Sequence, residues 1–264
     1  MLTDTAERDA MPKVLGIAGD WHGNHPWIRF ALEQLQRAGA THVMQLGDFG
    51  VFTIDDNRFV NDEAAARNLV VFVTLGNHEN YDLLDAELVP SRRFEGWLQF
   101  EGMDAVQYAP RPHTWMWHGR SFMSMGGANS IDVNYRTPGE SWWKQEQITD
   151  EQVRAASEVG QVDVVFAHDV FMSAQISTGG GTWTQAERVY ANGSRRKLMP
   201  VAESARPVLW LHGHHHQWTS TTNNIGEATV QTQCLNMDGT AENLAVLDLA
   251  TLELRQLAYA PSGA

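Results

Sequence analysis

The sequence predicts an α/β fold, on three observations. Apolar runs of strand length recur at residues 14–18, 42–46 and 69–75. The stretches between them carry apolar residues at helical spacing. Each run breaks off in a glycine followed by an acid or an amide: Gly19-Asp20, Gly47-Asp48 and Gly76-Asn77. A β-α-β-α-β order with polar tips at the carboxyl ends of its strands puts chemistry at the edge where open α/β sheets bind ligands.

The first run is Val14-Leu15-Gly16-Ile17-Ala18, and it ends in Gly19-Asp20-Trp21-His22-Gly23-Asn24. Pro26 suits the first turn of a helix, Ile28, Ala31, Leu32, Leu35 and Ala38 fall on one face, and Gly39 stops it. After the strand at 42–46, residues 56–68 read as a helix. The strand at 69–75 ends in Gly76-Asn77-His78-Glu79. Residues 81–112 read as a helix with loops. Residues 113–117 and 121–125 form a hairpin turning at His118-Gly119, followed by a turn-rich segment from Gly126 to Asp132. Thr149 and Gln152 make a capping box for a helix through Val159. A strand at 161–167 ends in His168-Asp169. Residues 177–182, with three consecutive glycines, read as a flexible loop, residues 184–190 as a helix, and Arg195-Arg196-Lys197 as a solvated basic turn. Pro207 to Leu211 is a short buried strand running into His212-Gly213-His214-His215-His216-Gln217-Trp218. Residues 228–233 alternate, and 244–249 with 252–257 make a closing hairpin turning at Ala250-Thr251. The expected organisation is one domain over 13–264 behind a loose tail at 1–12.

Bulk properties narrow the function. A chain of 264 residues can bury a substantial core. No apolar stretch approaches the ~20 residues of a membrane span. The polar N-terminus lacks the pattern of a signal peptide. A single cysteine, Cys234, allows no internal disulfide and fits a reducing cytoplasm. The net charge of −13 argues against affinity for duplex nucleic acid, while bound cations can still recruit a small phosphorylated substrate.

The strand ends collect Asp20 and His22, Asp48, Asn77 and His78, His168, and His214 with His216. In an extended segment His214 and His216 point to one side. Carboxylate, carboxamide and imidazole donors without thiolate suit hard or borderline divalent metals. These are too many candidate ligands for one ion and suit two, with Asp48 as the natural bridge. As turn residues after glycine, Asp20, Asp48 and Asn77 have an ordinary reading too; their repetition beside histidines favours metal binding.

Asp20-x-His22, Gly47-Asp48, Gly76-Asn77-His78-Glu79, an isolated His168 after a strand, and Gly213-His214-x-His216 occur in this order. Together they resemble the calcineurin-like metallophosphoesterases. The resemblance implies a four-layer α/β/β/α sandwich of two mixed sheets flanked by helices. It implies two divalent ions, manganese foremost, with iron, zinc, nickel or magnesium compatible. One is held by Asp20, His22, Asp48 and His216, the other by Asp48, Asn77, His168 and His214. A hydroxide bridging the ions attacks phosphorus, and His78 protonates the leaving oxygen. Relatives that dephosphorylate proteins carry an aspartate where this chain has Val51 and an arginine where it has Leu75, so a protein phosphatase is disfavoured and the orienting partner of His78 is unassigned. The segment from Gly126 through Arg136 and Trp142-Trp143 to Glu146 resembles an insert of bacterial and bacteriophage members.

Other residues have two readings each. Asn24 touches a phosphate or caps the helix at Pro26. Arg136 clamps a phosphate or stays exposed and unpaired. Trp142-Trp143 stacks on a base or packs in the core. His212 and His215 support the ligands, and His25, His42, His113 and His118 belong to surface or core. The expected activity is hydrolysis of small phosphodiesters, cyclic-nucleotide or aryl. A phosphomonoesterase on the same site and a non-catalytic, metal-dependent nucleotide-binding module are the alternatives. A nuclease on DNA ends is disfavoured by the acidity.

Overall fold

The computed structural model describes residues 11–176 and 183–258. β1 (Val14–Ala18), α1 (His25–Arg37), β2 (His42–Gln45), α2 (Ile54–Ala66), β3 (Val70–Val73) and α3 (Tyr81–Glu87) open the chain. Three short strands follow: β4 (Leu88–Pro90), β5 (Leu98–Phe100) and β6 (Val106–Tyr108). The hairpin of β7 (His113–Trp117) and β8 (Arg120–Met125) leads to α4 (Asp150–Val159) and β9 (Val164–Ala167). Then come α5 (Gln185–Ala205), β10 (Leu209–His212), β11 (Thr219–Ile225), β12 (Ala228–Cys234), β13 (Leu244–Asp248) and β14 (Leu254–Gln256).

Two mixed sheets result, one ordered β14-β13-β1-β2-β3-β6-β5-β4 and the other β11-β12-β10-β9-β8-β7. β1, β2, β3 and β6 are mutually parallel, and so are β8, β9, β10 and β12. Strand alternation sorts the apolar side chains into three cores. Leu15, Ile17, Met44, Val70 and Phe72 meet Val164, Phe166, Leu209 and Leu211 between the sheets. Val43, Val71 and Val73 face the other way, onto Ile28, Leu32 and Leu35 of α1. Val165, Ala167 and Trp210 pack under Leu198, Val201 and Ala202 of α5. Strands buried on both faces read as unbroken apolar runs. The outcome is helix, sheet, sheet, helix: the four layers expected.

Several elements differ from expectation. β4, β5 and β6 are three residues each, too short to show a period, and they extend a sheet where loops were expected. β11, Thr-Ser-Thr-Thr-Asn-Asn-Ile, is a strand without an apolar face and is held by pairing with β12. α2 begins at Ile54 because Thr53 and Asp56 form a capping box, two residues before the expected start. α5 starts from the Thr184–Glu187 capping box and runs on to Ala205, well past residue 190. Gly193 and Pro200 punctuate α5, yet burial of Leu198, Val201, Ala202 and Ala205 offsets their helix-breaking cost.

Arg195-Arg196-Lys197 therefore lies within a helix and is not a solvated turn. Only Arg196 is exposed. Arg195 is buried and donates to the carbonyls of Val170, Phe171, Met172 and Ala174 at 3.3, 3.4, 3.2 and 2.6 Å. Lys197 reaches Ile148 O and Asp150. The expected hairpin turn at His118-Gly119, the Thr149–Gln152 box and the β13–β14 hairpin are all present. The expected loop at 177–182 and residues 1–10 of the expected tail lie outside the described residues. Among the described residues no helix is long and apolar enough to cross a membrane.

Candidate metal centre

Parallel strands on both sheets end at the same edge, and the motif residues sit in the turns just beyond them. Asp20 follows β1, Asp48 follows β2, Asn77 follows β3, His168 follows β9, and His214 and His216 follow β10. These turns are tight. His22, Asp48, His214 and His216 have φ of +46°, +52°, +66° and +49°, a region that side chains with a Cβ rarely adopt. Outliers of this kind cluster at functional sites because the surrounding fold must enforce them. Two glycines permit the approach: a Cβ on Gly76 would lie 2.0 Å from Asp48 N, and one on Gly213 would lie 2.0 Å from Asp20 Oδ1.

The side chains form two groups that share one residue. One ligand atom from each of Asp20, His22, Asp48 and His216 falls within 4.8 Å of the others, and the same holds for Asp48, His168 and His214. Asp48 Oδ1 accepts the backbone N–H groups of Asn77 and His78, both at 2.8 Å, and lies 3.1 Å from His168 Nε2. Its Oδ2 is 3.6 Å from His22 Nε2 and 3.9 Å from His78 Nε2. Asp20 Oδ2 is 3.1 Å from His216 Nε2, and its carboxylate accepts His214 N. Asn77 joins the second group, its Oδ1 2.9 Å from His168 Nε2.

The outer partners fix the imidazoles. His168 Nδ1 lies 2.8 Å from Leu46 O, which can only accept, so Nδ1 carries the proton and Nε2 faces Asp48. His22 Nδ1 lies 2.8 Å from Asp238 Oδ1 and must likewise donate. Metal-ligating histidines are held in this way. Burial opposes protonation of both rings. The bond to Asp238 and the carboxylates of Asp48 and Asp20 outweigh it at His22, and Asp48 and Asp20 outweigh it at His168, lifting each to about 10. Asp48 behaves oppositely: burial would raise it, but His168 and His78 hold it well below the carboxylate range. His215 Nε2 lies 3.0 Å from Asp169 Oδ1, and Ser194 of α5 donates to the other oxygen at 2.7 Å, tying the histidine loop to that helix.

His78 is about one-third exposed, with its ring edge toward Asp48 and its Nε2 against Arg136 Nη2. Burial foremost, then Arg136 and His22, lowers its pKa, against Asp48. Arg136 is thus neither exposed nor unpaired. Its Nε pairs with Asp132 at 2.8 Å, and its guanidinium, which can only donate, meets His78 Nε2. Asn24 spends both polar atoms locally: Oδ1 caps α1 at Trp27 N, and Nδ2 donates to Asp238 at 2.6 Å. Trp143 is buried in the core.

Three residues assigned no role from sequence complete the site. Asp238 holds His22 across 216 positions, a pairing that leaves no local signal. Glu79 is buried and gathers the N–H groups of Phe49, Gly50, Val51 and Gly76. Burial pushes it up to about 7 despite those bonds. Its place in Gly76-Asn77-His78-Glu79 was the only clue. Ser130 accepts from Asn77 Nδ2 at 3.0 Å and sits in the 126–146 segment.

The calcineurin-like phosphoesterase family matches residues 14–218 of the chain. No protein among those with curated descriptions matches. Among solved structures, the protein TT1561 of Thermus thermophilus superposes with a TM-score of 0.53 at 12% identity, over 92% of this chain and 97% of that one. A dimetal phosphatase from Danio rerio superposes with a TM-score of 0.51 at 15% identity, over 91% and 93%. At these identities the likeness is one of fold.

Proposed function

Because the chain belongs to the calcineurin-like phosphoesterases, we propose that it hydrolyses phosphoesters with two divalent metal ions, and that small phosphodiesters, cyclic-nucleotide or aryl, are its preferred substrates. The observation that carries this reading is the pair of ligand groups meeting at Asp48. Asp20, His22, Asp48 and His216 would hold one ion; Asp48, Asn77, His168 and His214 would hold the other. The donor set fits. It offers carboxylate and carboxamide oxygens and imidazole nitrogens, with His22 and His168 already oriented by Asp238 and Leu46 O. Such a pair supplies positive charge to a phosphoryl oxygen and an activated water. Manganese is the first metal to test, with iron, zinc, nickel and magnesium compatible.

The chain's own residues do the rest. His78, next to the ligand Asn77, is the acid for the leaving oxygen. Arg136 can only donate and lies against His78 Nε2, so that nitrogen takes up its proton once the guanidinium turns to a non-bridging phosphate oxygen. A histidine acid serves the expulsion of a poor alkoxide, which diesters and monoesters share, so their relative turnover is the quantity to measure. Residues 13–264 act as one domain: β13, beyond the family match, pairs onto β1, and β14 onto β13. The buried lone cysteine supports a cytoplasmic setting.

The test is Mn²⁺ titration of metal-free wild type and Asp48→Ala, with turnover of bis-aryl and mono-aryl phosphates. Wild type is expected to take two ions and to favour the diester. Asp48→Ala is expected to hold neither ion and to turn over nothing. Two ions retained in Asp48→Ala would overturn the shared site. Preference for the monoester would make the chain a phosphomonoesterase, and substrate binding without product would make it a binding module.

A further inference from the structure

Resting on the two-metal reading above, we infer that Ser130 and Glu146, neither of which would itself ligate an ion, are positioning residues. Together they force Asn77 to present its carbonyl oxygen to the second metal. A carboxamide has two ends of nearly equal shape and opposite polarity. Only the oxygen can ligate a cation, so an Asn ligand needs a partner that tells the ends apart.

The partner here is a polarised relay. Glu146 is fully buried, and its carboxylate accepts twice from Ser130: Oε1 from the backbone N at 2.9 Å, and Oε2 from Oγ at 2.7 Å. Ionised, Glu146 only accepts, so above about 7, where burial has moved its pKa, the Ser130 hydroxyl proton is committed to it. That leaves Ser130 Oγ with lone pairs alone toward Asn77, 3.0 Å from Nδ2. The amide must therefore point its NH₂ at Ser130. Oδ1 is then turned to the side where His168 and Asp48 lie, 2.9 Å from His168 Nε2. Flipping Asn77 would oppose two acceptors at Ser130 and aim two N–H groups at the metal site. All three side chains are buried, so water cannot relieve either mismatch.

The relay is anchored from outside the site. Glu146 closes a 3-10 turn (Lys144–Glu146), and Arg111 donates to Gln145 O at 2.7 Å, which holds that turn. The segment between Ser130 and Glu146 also carries Arg136, which touches His78. One segment thus grips two consecutive motif residues, Asn77 through Ser130 and His78 through Arg136. This gives the 126–146 segment a function that its sequence alone does not suggest.

The test is Mn²⁺ binding to metal-free protein by calorimetry, for wild type, Ser130→Ala, Asn77→Ala and the double variant, with thermal unfolding as the folding control. Outer partners of metal ligands typically contribute about 10- to 100-fold in affinity. Ser130→Ala is expected to weaken the second ion by about that factor and leave the first unchanged. In the Asn77→Ala background the same change is expected to add nothing, because its only route to the metal is gone. Glu146→Gln is expected to weaken the second ion as well, since a carboxamide no longer commits the serine proton. Unchanged second-ion affinity in Ser130→Ala, or an equal loss with and without Asn77, overturns the inference and leaves the two-metal reading standing. Failure of wild type to bind a second ion overturns both.

Discussion

Asp48 is the residue on which the site converges. One of its oxygens is committed to the N–H groups of Asn77 and His78, and the other faces His22 and His78. Its backbone sits at φ +52°, a strain the packed turns of β2 and β3 must hold. His78 has the opposite character: it is partly exposed, touches Arg136, and contributes to neither ligand group. Replacing His78 with alanine is therefore expected to leave metal content intact and cut turnover by about 10²–10⁴-fold, most steeply for esters with poor leaving groups. A series of aryl diesters checks this; equal losses across the series contradict the acid role. The candidate ligands were legible in the sequence because each follows an apolar run and a glycine or a strand end, a local signal. Asp238 and Ser130 were not. Each acts on the site through hydrogen bonds from a distant segment, and an isolated aspartate or serine in a turn reads the same with or without a partner.

At the scale of elements, capping chemistry and unbroken apolar runs made β1, β2, β3, α1 and α4 legible. Brevity hid β4–β6, and the polar face of β11 hid that strand. α5 was hidden by Gly193 and Pro200, whose cost is offset only by burial against the second sheet. Arg195 is the clearest consequence. It reads as surface charge, yet it caps four carbonyls after β9. Arg195→Ala leaves those groups without their donor and is expected to cost about 3 kcal/mol. Denaturant unfolding checks it, and a loss under ~0.5 kcal/mol contradicts the assignment. β7 carries a second prediction. His113 stacks on Trp115 and edges onto Trp97, and burial lowers it to about 4. Between its ordinary value of 6.5 and about 4, the unfolded chain holds the proton and the folded chain does not. Stability is then complete above pH 6.5 and falls as pH drops toward 4. Unfolding curves of His113→Phe across that window are expected to fall less steeply than those of wild type; parallel curves contradict it.

Across the whole molecule, the two sheets serve one purpose: they bring the carboxyl ends of parallel strands from two separate layers to a common edge. Asp20, Asp48 and Asn77 come from the first sheet, and His168, His214 and His216 from the second. Neither sheet alone carries all of these residues, so they gather only where the layers pack. With a net charge of −13, binding of an anionic substrate at this edge would rest on cations held there and on Arg136, which would reverse the local field. The most direct test of that claim is anomalous diffraction from crystals grown with Mn²⁺. Two peaks about 3.5–4 Å apart with the Asp48 carboxylate between them are the predicted result. A single peak, or two peaks of which only one contacts Asp48, would contradict it.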